Sequence, residues 1–294
     1  MFSLEKRGEM DIVRFKGGLG NQMFQYAFVE ALRNRGRYVR CNLGFYRKNM
    51  HVMPFILDKV FKMVDLQQVE DEVFETIDYE WKRIKRDEVL LSEFKKDIKS
   101  RFFYVEDGSS IYREDVFETK NCAFVGFWQT EKYFKEIREH ILYSFQFTIT
   151  DKKLKKLGEK LRQNYYGVHI RRKDYLGIDV YDVCGIEYYI NAMSYIRTVA
   201  PGAKFIFFSD DVKWVRENFH LENMMICTES MFTEYQDWYD MYLMTQCAGN
   251  IISNSTFGWW GAWLNQNKGV VIAPKEWLKG METPDIWCDG WIRK

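Results

Sequence analysis

Two adjacent arginines follow a predicted strand in the second half of the chain. The strand spans 165–170, Arg171 and Arg172 come directly after it, and Asp174 lies close by. Two neighbouring guanidinium groups would be costly in a core, and their planar forks grip phosphate oxygens through paired hydrogen bonds. The segment therefore predicts a phosphate-binding site at the end of a strand. An exposed basic loop paired to Asp174 is the alternative.

A second predicted strand, 204–208, ends in Ser209, Asp210 and Asp211. Carboxylates at a strand end accept hydrogen bonds, so the two aspartates are candidates for holding the ribose or the base edge of a nucleotide. Serine and aspartate are also common helix caps, and a helix is predicted over 211–219. Both interpretations stay open from this segment alone.

A third polar segment follows the predicted strand 250–253 and opens a helix. Asn254, Ser255, Thr256 and Phe257 stand at this point. The free N–H groups and the positive dipole end of a helix start form an anion site, so anion binding is predicted here; simple capping is the alternative. The tryptophans at 259, 260 and 263 are interpreted as core, or as packing against the other half, rather than as sugar-stacking residues.

A glycine turn, 17–20, follows the first predicted strand. Gly18 and Gly20 fit part of a dinucleotide-binding fingerprint, but Met23 stands where a third glycine is needed, and no acidic residue ends the next strand. The G-K-[ST] signature of a P-loop is also absent. We interpret the glycines as allowing a close backbone approach to a ligand in a cleft between two opposed halves, with Asn21 and Gln22 as hydrogen-bonding partners.

Strands and helices alternate along most of the chain, which predicts parallel sheets covered on both faces. The first unit of this kind has strands at 10–15 and 37–43 around a helix at 21–36, and the alternation is regular from 165 to 274. We predict an α/β protein of two opposed Rossmann-like domains with a cleft between them. Ligands of such sheets bind beyond the carboxyl ends of the strands, where the polar segments lie.

The predicted domain boundary lies near 150. Residues 1–150 are expected to form the N-terminal domain, and 1–9 to be a disordered extension, because the first strand begins near Met10. Residues 151–275 are expected to form the C-terminal domain. Residues 276–294 are expected to be a tail that packs back on the N-terminal half.

The composition is that of a globular protein. The chain has 294 residues, of which 47% are hydrophobic and 17% aromatic, and 43 basic against 42 acidic residues give a net charge of +1. A disordered chain and a strongly basic nucleic-acid binder are therefore excluded. No apolar run reaches the length of a membrane span, the first ten residues have no signal-peptide core, and six scattered cysteines predict reduced thiols in a cytoplasmic protein.

Four segments, in order along the chain, carry a resemblance to a known family. They are GGLGNQMFQYA (17–27), HIRRKDY (169–175), FFSDD (207–211) and SNSTFGWWGAWL (253–264). Together they resemble family 11 of the glycosyltransferases, the α-1,2-fucosyltransferases. Lys173 stands where the family commonly has glycine, and Gly258 where it commonly has serine. Residues 45–150 match no motif of the family and are expected to face the acceptor.

The resemblance implies a GT-B fold, GDP-β-L-fucose as the donor, inversion at the anomeric carbon, and neither cofactor nor metal. It also implies that 1–150 is the acceptor-side domain, with the glycine turn on that side, and that 151–275 is the donor-binding domain. The absence of a D-x-D motif agrees with the lack of a metal. A terminal galactose of an oligosaccharide or a lipid-linked glycan would supply its 2-hydroxyl as the nucleophile. No nucleic-acid partner is expected, and any membrane contact would be peripheral, at the bacterial inner membrane.

The resemblance also implies roles for single residues. Arg171 would stabilise the departing β-phosphate with help from Ser255 and Thr256, His169 would contact the guanine or the ribose, and Arg172 would support the loop. Asp210 or Asp211 would hold the nucleotide, and Glu229, after the third strand of this half, is a further candidate for the guanine. Asp174 is a candidate general base, although a carboxylate that orients an arginine is the better interpretation.

Three alternatives stay open from the sequence. The first is a fucosyltransferase of another linkage, α-1,6 or O-fucosyl. The second is a non-catalytic module that binds a glycan or a nucleotide. The third is an NAD- or FAD-dependent oxidoreductase built on the first β-α-β unit.

Overall fold

The computed structural model describes residues 10–49, 53–70, 103–106 and 110–294. The chain forms two compact units, Met1–Gln146 and Phe147–Lys294, so the boundary falls close to the predicted position. The predicted disordered extension, 1–9, lies outside the described residues. In the described part of the chain, no helix is long and apolar enough to cross a membrane, and all six cysteines are free.

The first unit contains a four-stranded parallel sheet in the order β2-β1-β4-β3. Its strands are β1 (Asp11–Arg14), β2 (Val39–Asn42), β3 (Phe103–Val105) and β4 (Ala123–Val125). Its helices are α1 (Leu19–Asn34), α2 (Gly44–Asn49), α3 (Leu57–Val60) and α4 (Arg138–Ser144), with 3₁₀ turns at Glu114–Phe117, Glu131–Tyr133 and Lys135–Ile137. The predicted β-α-β start of the chain is thus β1-α1-β2.

Helix α1 is buried along most of its length and packs in an aromatic cluster. Phe24 and Phe28 are fully buried, and the ring of Phe28 stacks on Trp128 with centroids 4.2 Å apart. Phe124 and Tyr133 meet the same Phe28 ring edge-on. Each fully buried aromatic side chain stabilises the fold by about 1.5–3 kcal/mol, so this cluster is a major part of the core of the first unit.

The second unit contains a six-stranded parallel sheet in the order β10-β9-β8-β5-β6-β7. Its strands are β5 (Tyr165–Ile170), β6 (Lys204–Ser209), β7 (Met225–Ile226), β8 (Gly249–Ile251), β9 (Val271–Ala273) and β10 (Ile292–Arg293). Its helices are α5 (Lys152–Leu161), α6 (Ile186–Val199), α7 (Val212–Asn218), α8 (Trp238–Gln246) and α9 (Thr256–Trp263), with 3₁₀ turns at Asp179–Tyr181 and Glu229–Met231.

The central strand β5 is buried at every position, which is what a parallel sheet covered on both faces requires. Val168 and Ile170 pack in one apolar cluster with Tyr189, Met193 and Ile196 of α6. Because this cluster fixes β5 against its helix, the residues that follow Ile170 emerge from a rigid strand end.

The tail belongs to the second unit. Ile292 and Arg293 form β10, which pairs with β9, and Trp259 Nε1 donates to the carbonyl oxygen of Ile286 at 2.6 Å. The C-terminal domain is predicted to end at 275, whereas the structure continues its sheet into the tail through β10. The expected packing of the tail on the N-terminal half stays a prediction. Trp259, Trp260 and Trp263 are buried, as core residues are.

Candidate functional site

The strand pairing brings the three polar segments of the second unit to one edge of the sheet. Strand β5 lies between β6 and β8, with Ile170 opposite Ser209 and Val168 opposite Ile251. All three strands are parallel, so their carboxyl ends point the same way. The loops 171–174, 210–211 and 253–256 therefore start side by side, as the sequence predicts.

Arg171 is held by Asp174 through two parallel hydrogen bonds. Nε donates to Oδ1 and Nη2 donates to Oδ2, each at 2.7 Å. The arginine side chain is 38% exposed, and its Nη1 has no partner among the described residues. Burial lowers the pKa of Arg171, but the hydrogen bonds and charge of Asp174 outweigh it and raise the pKa above its usual value. Arg171 is therefore a permanent cation at the end of β5, and its Nη1 group is not used by the described residues.

Asp210 shapes the turn that carries the arginines. Its Oδ1 accepts from the backbone N–H of Arg172 at 2.9 Å, and its Oδ2 accepts from that of Lys173 at 3.2 Å. Arg171 Nε lies 3.4 Å from the same Oδ2. Both oxygens of Asp210 thus serve the loop, a role that the sequence analysis does not assign to it. Its contact with a nucleotide stays a prediction.

Arg172 and Asp211 form a supporting pair beside this turn. Arg172 Nε lies 3.4 Å from Asp211 Oδ2, and its guanidinium carbon lies 4.1 Å from the centre of the Trp214 ring. Asp211 also caps α7, because its Oδ1 accepts from the backbone N–H of Trp214 at 3.1 Å. The capping interpretation is therefore confirmed for Asp211, while the loop-supporting role of Arg172 and the contact of Asp211 with a nucleotide stay predictions.

His169 is the buried neighbour of the arginines. Its side chain is 5% exposed, Nδ1 lies 3.0 Å from Ser253 Oγ, and the ring stacks on Phe257 with centroids 5.6 Å apart. Burial, and then the charge of Arg171, lower the pKa of His169 to about 3. The imidazole is therefore neutral at any physiological pH.

The segment 253–256 combines a free helix start with a tightly tied asparagine. Ser255 is the N-cap residue of α9, but its side chain makes no capping hydrogen bond. The amide nitrogen of Asn254 donates to the carbonyl oxygens of Tyr181 at 3.2 Å and Trp277 at 3.1 Å. The predicted donor-binding role of the Asn254 side chain is thus not supported, because both its amide hydrogens are used within the unit.

Glu229 stands apart from this group. It begins the 3₁₀ turn Glu229–Met231 after the edge strand β7, and its side chain is exposed. Strand β6 separates β7 from β5, so Glu229 lies on the outer side of the cluster formed by the three strand ends. Its proposed contact with guanine stays a prediction.

In the first unit, the glycine turn 17–20 packs closely against the side chain of Asn21 in the first turn of α1. Gly17 has a φ of +92°, and a Cβ there would lie 2.5 Å from Asn21 Nδ2. Gly18 caps α1, and Gly20 lies buried in its first turn. Asn21 Oδ1 accepts from Gln129 at 2.9 Å. The turn therefore requires glycine at 17, whereas Gly18 and Gly20 are the two glycines that the sequence motif singles out.

Gln22 is fully occupied inside the first unit. Its Nε2 donates to the carbonyl oxygens of Gly17 at 3.0 Å and Pro54 at 3.2 Å, and its Oε1 accepts from the N–H groups of Ile56 and Leu57, each at 3.1 Å. A buried amide with four partners has no hydrogen bond left to offer in this arrangement, so the contact of Gln22 with a ligand is not supported here and stays a prediction.

The sequence analysis misses three residues that build the site. Ser253 holds His169, Tyr175 donates its hydroxyl to the carbonyl oxygen of Asn254 at 3.3 Å, and Tyr181 stacks on Tyr175 with centroids 4.5 Å apart. Only Ser253 carries a local signal, as a hydroxyl at a strand end. Within the described ranges, no group of three or more His, Cys, Asp or Glu side chains is placed to hold a metal ion.

The chain belongs to glycosyl transferase family 11, whose sequence model matches residues 3–293. It is therefore a glycosyltransferase, and family membership decides against the oxidoreductase and the non-catalytic binding module.

Two bacterial proteins and one human protein are similar in sequence to this chain over nearly its whole length. An α-1,2-colitosyltransferase of Escherichia coli is 29% identical over 96% of this chain and 98% of its own length. The O-antigen biosynthesis glycosyltransferase WbnK of the same species is 27% identical over 94% of this chain and 97% of its own length. Galactoside α-(1,2)-fucosyltransferase 1 of Homo sapiens is 24% identical over 94% of this chain and 72% of its own length.

Among solved structures, the fucosyltransferase NodZ from Bradyrhizobium is similar in fold. It matches with a TM-score of 0.53 over 87% of this chain and 92% of its own, at 14% identity. The α/β architecture with parallel sheets is thus one that a known fucosyltransferase shares.

Proposed function

We propose that this glycosyltransferase moves L-fucose from GDP-β-L-fucose to the 2-hydroxyl of a terminal galactose in a glycan, with inversion at the anomeric carbon. The fixed fork of Arg171 on Asp174, with its free Nη1, carries the proposal. The relatives named as α-1,2-colitosyl- and α-(1,2)-fucosyltransferases support the linkage. Crystals of NodZ, described as an α-1,6-fucosyltransferase, with GDP and with GDP-fucose support a GDP-linked donor for this type of fold.

Arg171 would act on the leaving group. As the bond between C1 and the β-phosphate breaks, negative charge grows on the phosphate oxygens, and the transition state resembles an oxocarbenium ion. A guanidinium already fixed by Asp174 stabilises that charge without rearranging. Ser255, whose hydroxyl caps no helix N–H, and Thr256 at the start of α9 would add hydrogen bonds.

Asp174 would orient Arg171 rather than act as the general base. Both its oxygens already accept hydrogen bonds from the guanidinium, and removal of one would release the fork. In a dissociative reaction, the 2-hydroxyl of the acceptor becomes acidic only after the C1–O bond is largely broken. Its proton can then pass to an oxygen of the departing β-phosphate or to water, so a side-chain base is not required.

The remaining features of the proposal concern the setting of the reaction. The two units would face each other across a cleft in the GT-B manner, with the glycine turn on the acceptor side. No metal would be needed, because Arg171 and α9 supply the positive charge. The protein would act in the cytoplasm of a bacterium, with at most peripheral contact with the inner membrane where a lipid-linked acceptor is used.

A colitosyl donor is the second candidate. The observation that favours it is the 29% identity to the α-1,2-colitosyltransferase over nearly the whole length of both proteins. The linkage and the role of Arg171 would be unchanged.

A donor and acceptor screen tests the proposal. The purified protein is assayed for GDP release from GDP-fucose and from GDP-colitose, with lactose, N-acetyllactosamine and β-1,3-linked galactosyl-N-acetylhexosamines, in excess EDTA. We expect a product whose NMR spectrum shows an α-1,2 linkage to galactose. An α-1,6 or O-linked product would contradict the linkage, and transfer abolished by EDTA but restored by Mg²⁺ would contradict the metal-free mechanism.

A further inference from the structure

His169 and Ser253 are joined by two hydrogen bonds at the edge of the sheet. The backbone N–H of Ser253 donates to the carbonyl oxygen of His169 at 3.1 Å, and Ser253 Oγ lies 3.0 Å from His169 Nδ1. The serine is fully buried and the histidine nearly so. Their side chains therefore meet away from water, where the direction of the second bond is fixed by the partners available.

The serine hydroxyl has one available acceptor. Among the described residues, His169 Nδ1 is the only hydrogen-bond partner of Ser253 Oγ. If Nδ1 carried the proton, the hydroxyl hydrogen would be buried without an acceptor, which costs about 1–3 kcal/mol. The hydroxyl therefore donates to Nδ1. A neutral imidazole carries one proton, so that proton resides on Nε2.

The ring is held in place from two further sides. Phe257 stacks on it with an interplanar angle of 26°. Gly258 passes so close that a Cβ there would lie 2.6 Å from Nδ1. Nε2, by contrast, has no hydrogen-bond partner within the described part of the chain and is not among its buried, unpartnered polar atoms. The Nε2–H group therefore lies at the accessible edge of the ring.

We propose that Ser253 is a positioning residue that holds His169 as the Nε2–H tautomer, so that Nε2 donates a hydrogen bond to an oxygen of the nucleoside diphosphate donor. The inference rests on the proposed function for the identity of the ligand, but the tautomer itself is a property of the free protein. A neutral donor here adds no second positive charge beside Arg171, and it keeps its hydrogen across the physiological pH range.

The tautomer is tested first, without any ligand. The protein is labelled with ¹⁵N-histidine, and the signals of His169 are assigned by their loss in His169→Phe. We expect an unprotonated Nδ1 and a protonated Nε2, unchanged from about pH 5 to about pH 8, where an ordinary histidine titrates. A protonated Nδ1, or titration of His169 within this range, would overturn the proposal.

A double-mutant cycle then tests the route by which Ser253 acts. GDP affinity is measured by calorimetry for the wild type, Ser253→Ala, His169→Phe and the double variant. Loss of one hydrogen bond that orients a ligand-binding group is expected to weaken GDP binding roughly tenfold in Ser253→Ala. The same serine change should have no effect in the His169→Phe background, because phenylalanine has no Nδ1 to accept the bond.

Two controls separate this role from a general loss of structure. Ser144→Ala removes another buried serine hydroxyl, which donates to the carbonyl oxygen of His140 at 2.9 Å in the first unit, and should leave GDP affinity unchanged. An equal loss in both backgrounds of the cycle would show that Ser253 acts through the fold and would contradict the proposal. If the wild type fails to bind GDP, the proposed function fails, while the tautomer measurement still decides the state of His169.

Discussion

Asp174 fixes Arg171 by two points of contact, and this pair determines what the strand end can do. A single contact would let the guanidinium rotate, whereas two parallel bonds of 2.7 Å define its plane and leave Nη1 facing away from the carboxylate. The orientation is therefore set before any substrate binds.

Replacing Arg171 should abolish most of the transfer activity. We expect Arg171→Ala to lower kcat/KM for GDP-fucose by about 10²–10³-fold, as loss of a donor to a developing negative charge does. Arg171→Lys should recover only part of it, because lysine keeps the charge and loses the fork. Arg216→Ala, at an exposed arginine of α7, is the matched control and should be neutral. Near wild-type kcat/KM in Arg171→Ala would refute the role.

Asp174→Asn separates the two interpretations of that carboxylate. If Asp174 orients Arg171, the amide still accepts one of the two bonds, and kcat should fall about tenfold with an unchanged pH profile. If it were the general base, the loss should be about 10²–10⁴-fold and the acidic limb of the pH–rate profile, which reports protonation of the base, should change. Steady-state kinetics across a range of pH distinguishes these results.

Asp210→Ala should affect donor binding through the loop. Without the carboxylate, the N–H groups of Arg172 and Lys173 lose their acceptor, so the turn loses its fixed shape. We expect the KM for GDP-fucose to rise roughly tenfold with a smaller change in kcat. Asp58→Ala, at an exposed aspartate of α3, is the control. A change in kcat alone would argue against a loop-holding role.

Gly258→Ala should displace His169. The new Cβ would approach Nδ1 to 2.6 Å, a distance that real Cβ contacts do not show, so the ring must move. We expect weaker GDP binding in calorimetry and a lower Tm. Gly185→Ala is the control, since a Cβ there meets nothing within 4 Å. Unchanged GDP affinity in Gly258→Ala would mean that the ring position is unimportant for the ligand.

Asp240 should make the protein less stable as the pH rises. Burial raises the pKa of Asp240 in α8 to about 6, and its Oδ1 has no partner in the described structure. Since the unfolded group has a lower pKa, the folded state binds the proton more tightly, so stability falls between about pH 4 and about pH 6 and stays lower above this window. Above this window, the ionised Asp240 lowers the free energy of unfolding by an amount on the order of 3 kcal/mol.

Urea denaturation of Asp240→Asn tests this. The variant should gain stability over the wild type at about pH 8 and lose that advantage at about pH 4, because the neutral amide carries no ionisation penalty. Asp58→Asn serves as the exposed control. A stability difference that is independent of pH would show that Asp240 is not protonated preferentially in the folded state.

The sequence predicts the sheet of the second unit well because its strands are short apolar runs between polar turns. Strand β5 spans the predicted residues 165–170, and the three polar strand ends meet because parallel strands share an edge. Such patterns do not show which hydrogen-bond donor pairs with which hydrogen-bond acceptor. Gln22 finds three of its four partners more than thirty residues further along, and His169 meets Ser253 across 84 positions.

Strand β10, in the tail, is a second feature that the local sequence does not predict. Two residues, Ile292 and Arg293, are too few to give a period-two pattern, so β10 cannot be recognised from local sequence. It forms because β9 already presents an unpaired edge, and only the folded sheet provides that edge.

Both outer strands of the six-stranded sheet, β7 and β10, contain two residues each. A long exposed edge is a template on which a second chain can add its own strand, whereas a two-residue edge offers too few N–H and C=O groups for stable addition. Short outer strands thus guard this sheet against edge-to-edge aggregation. Shortening the chain by its last few residues would uncover β9 and remove that protection on one side.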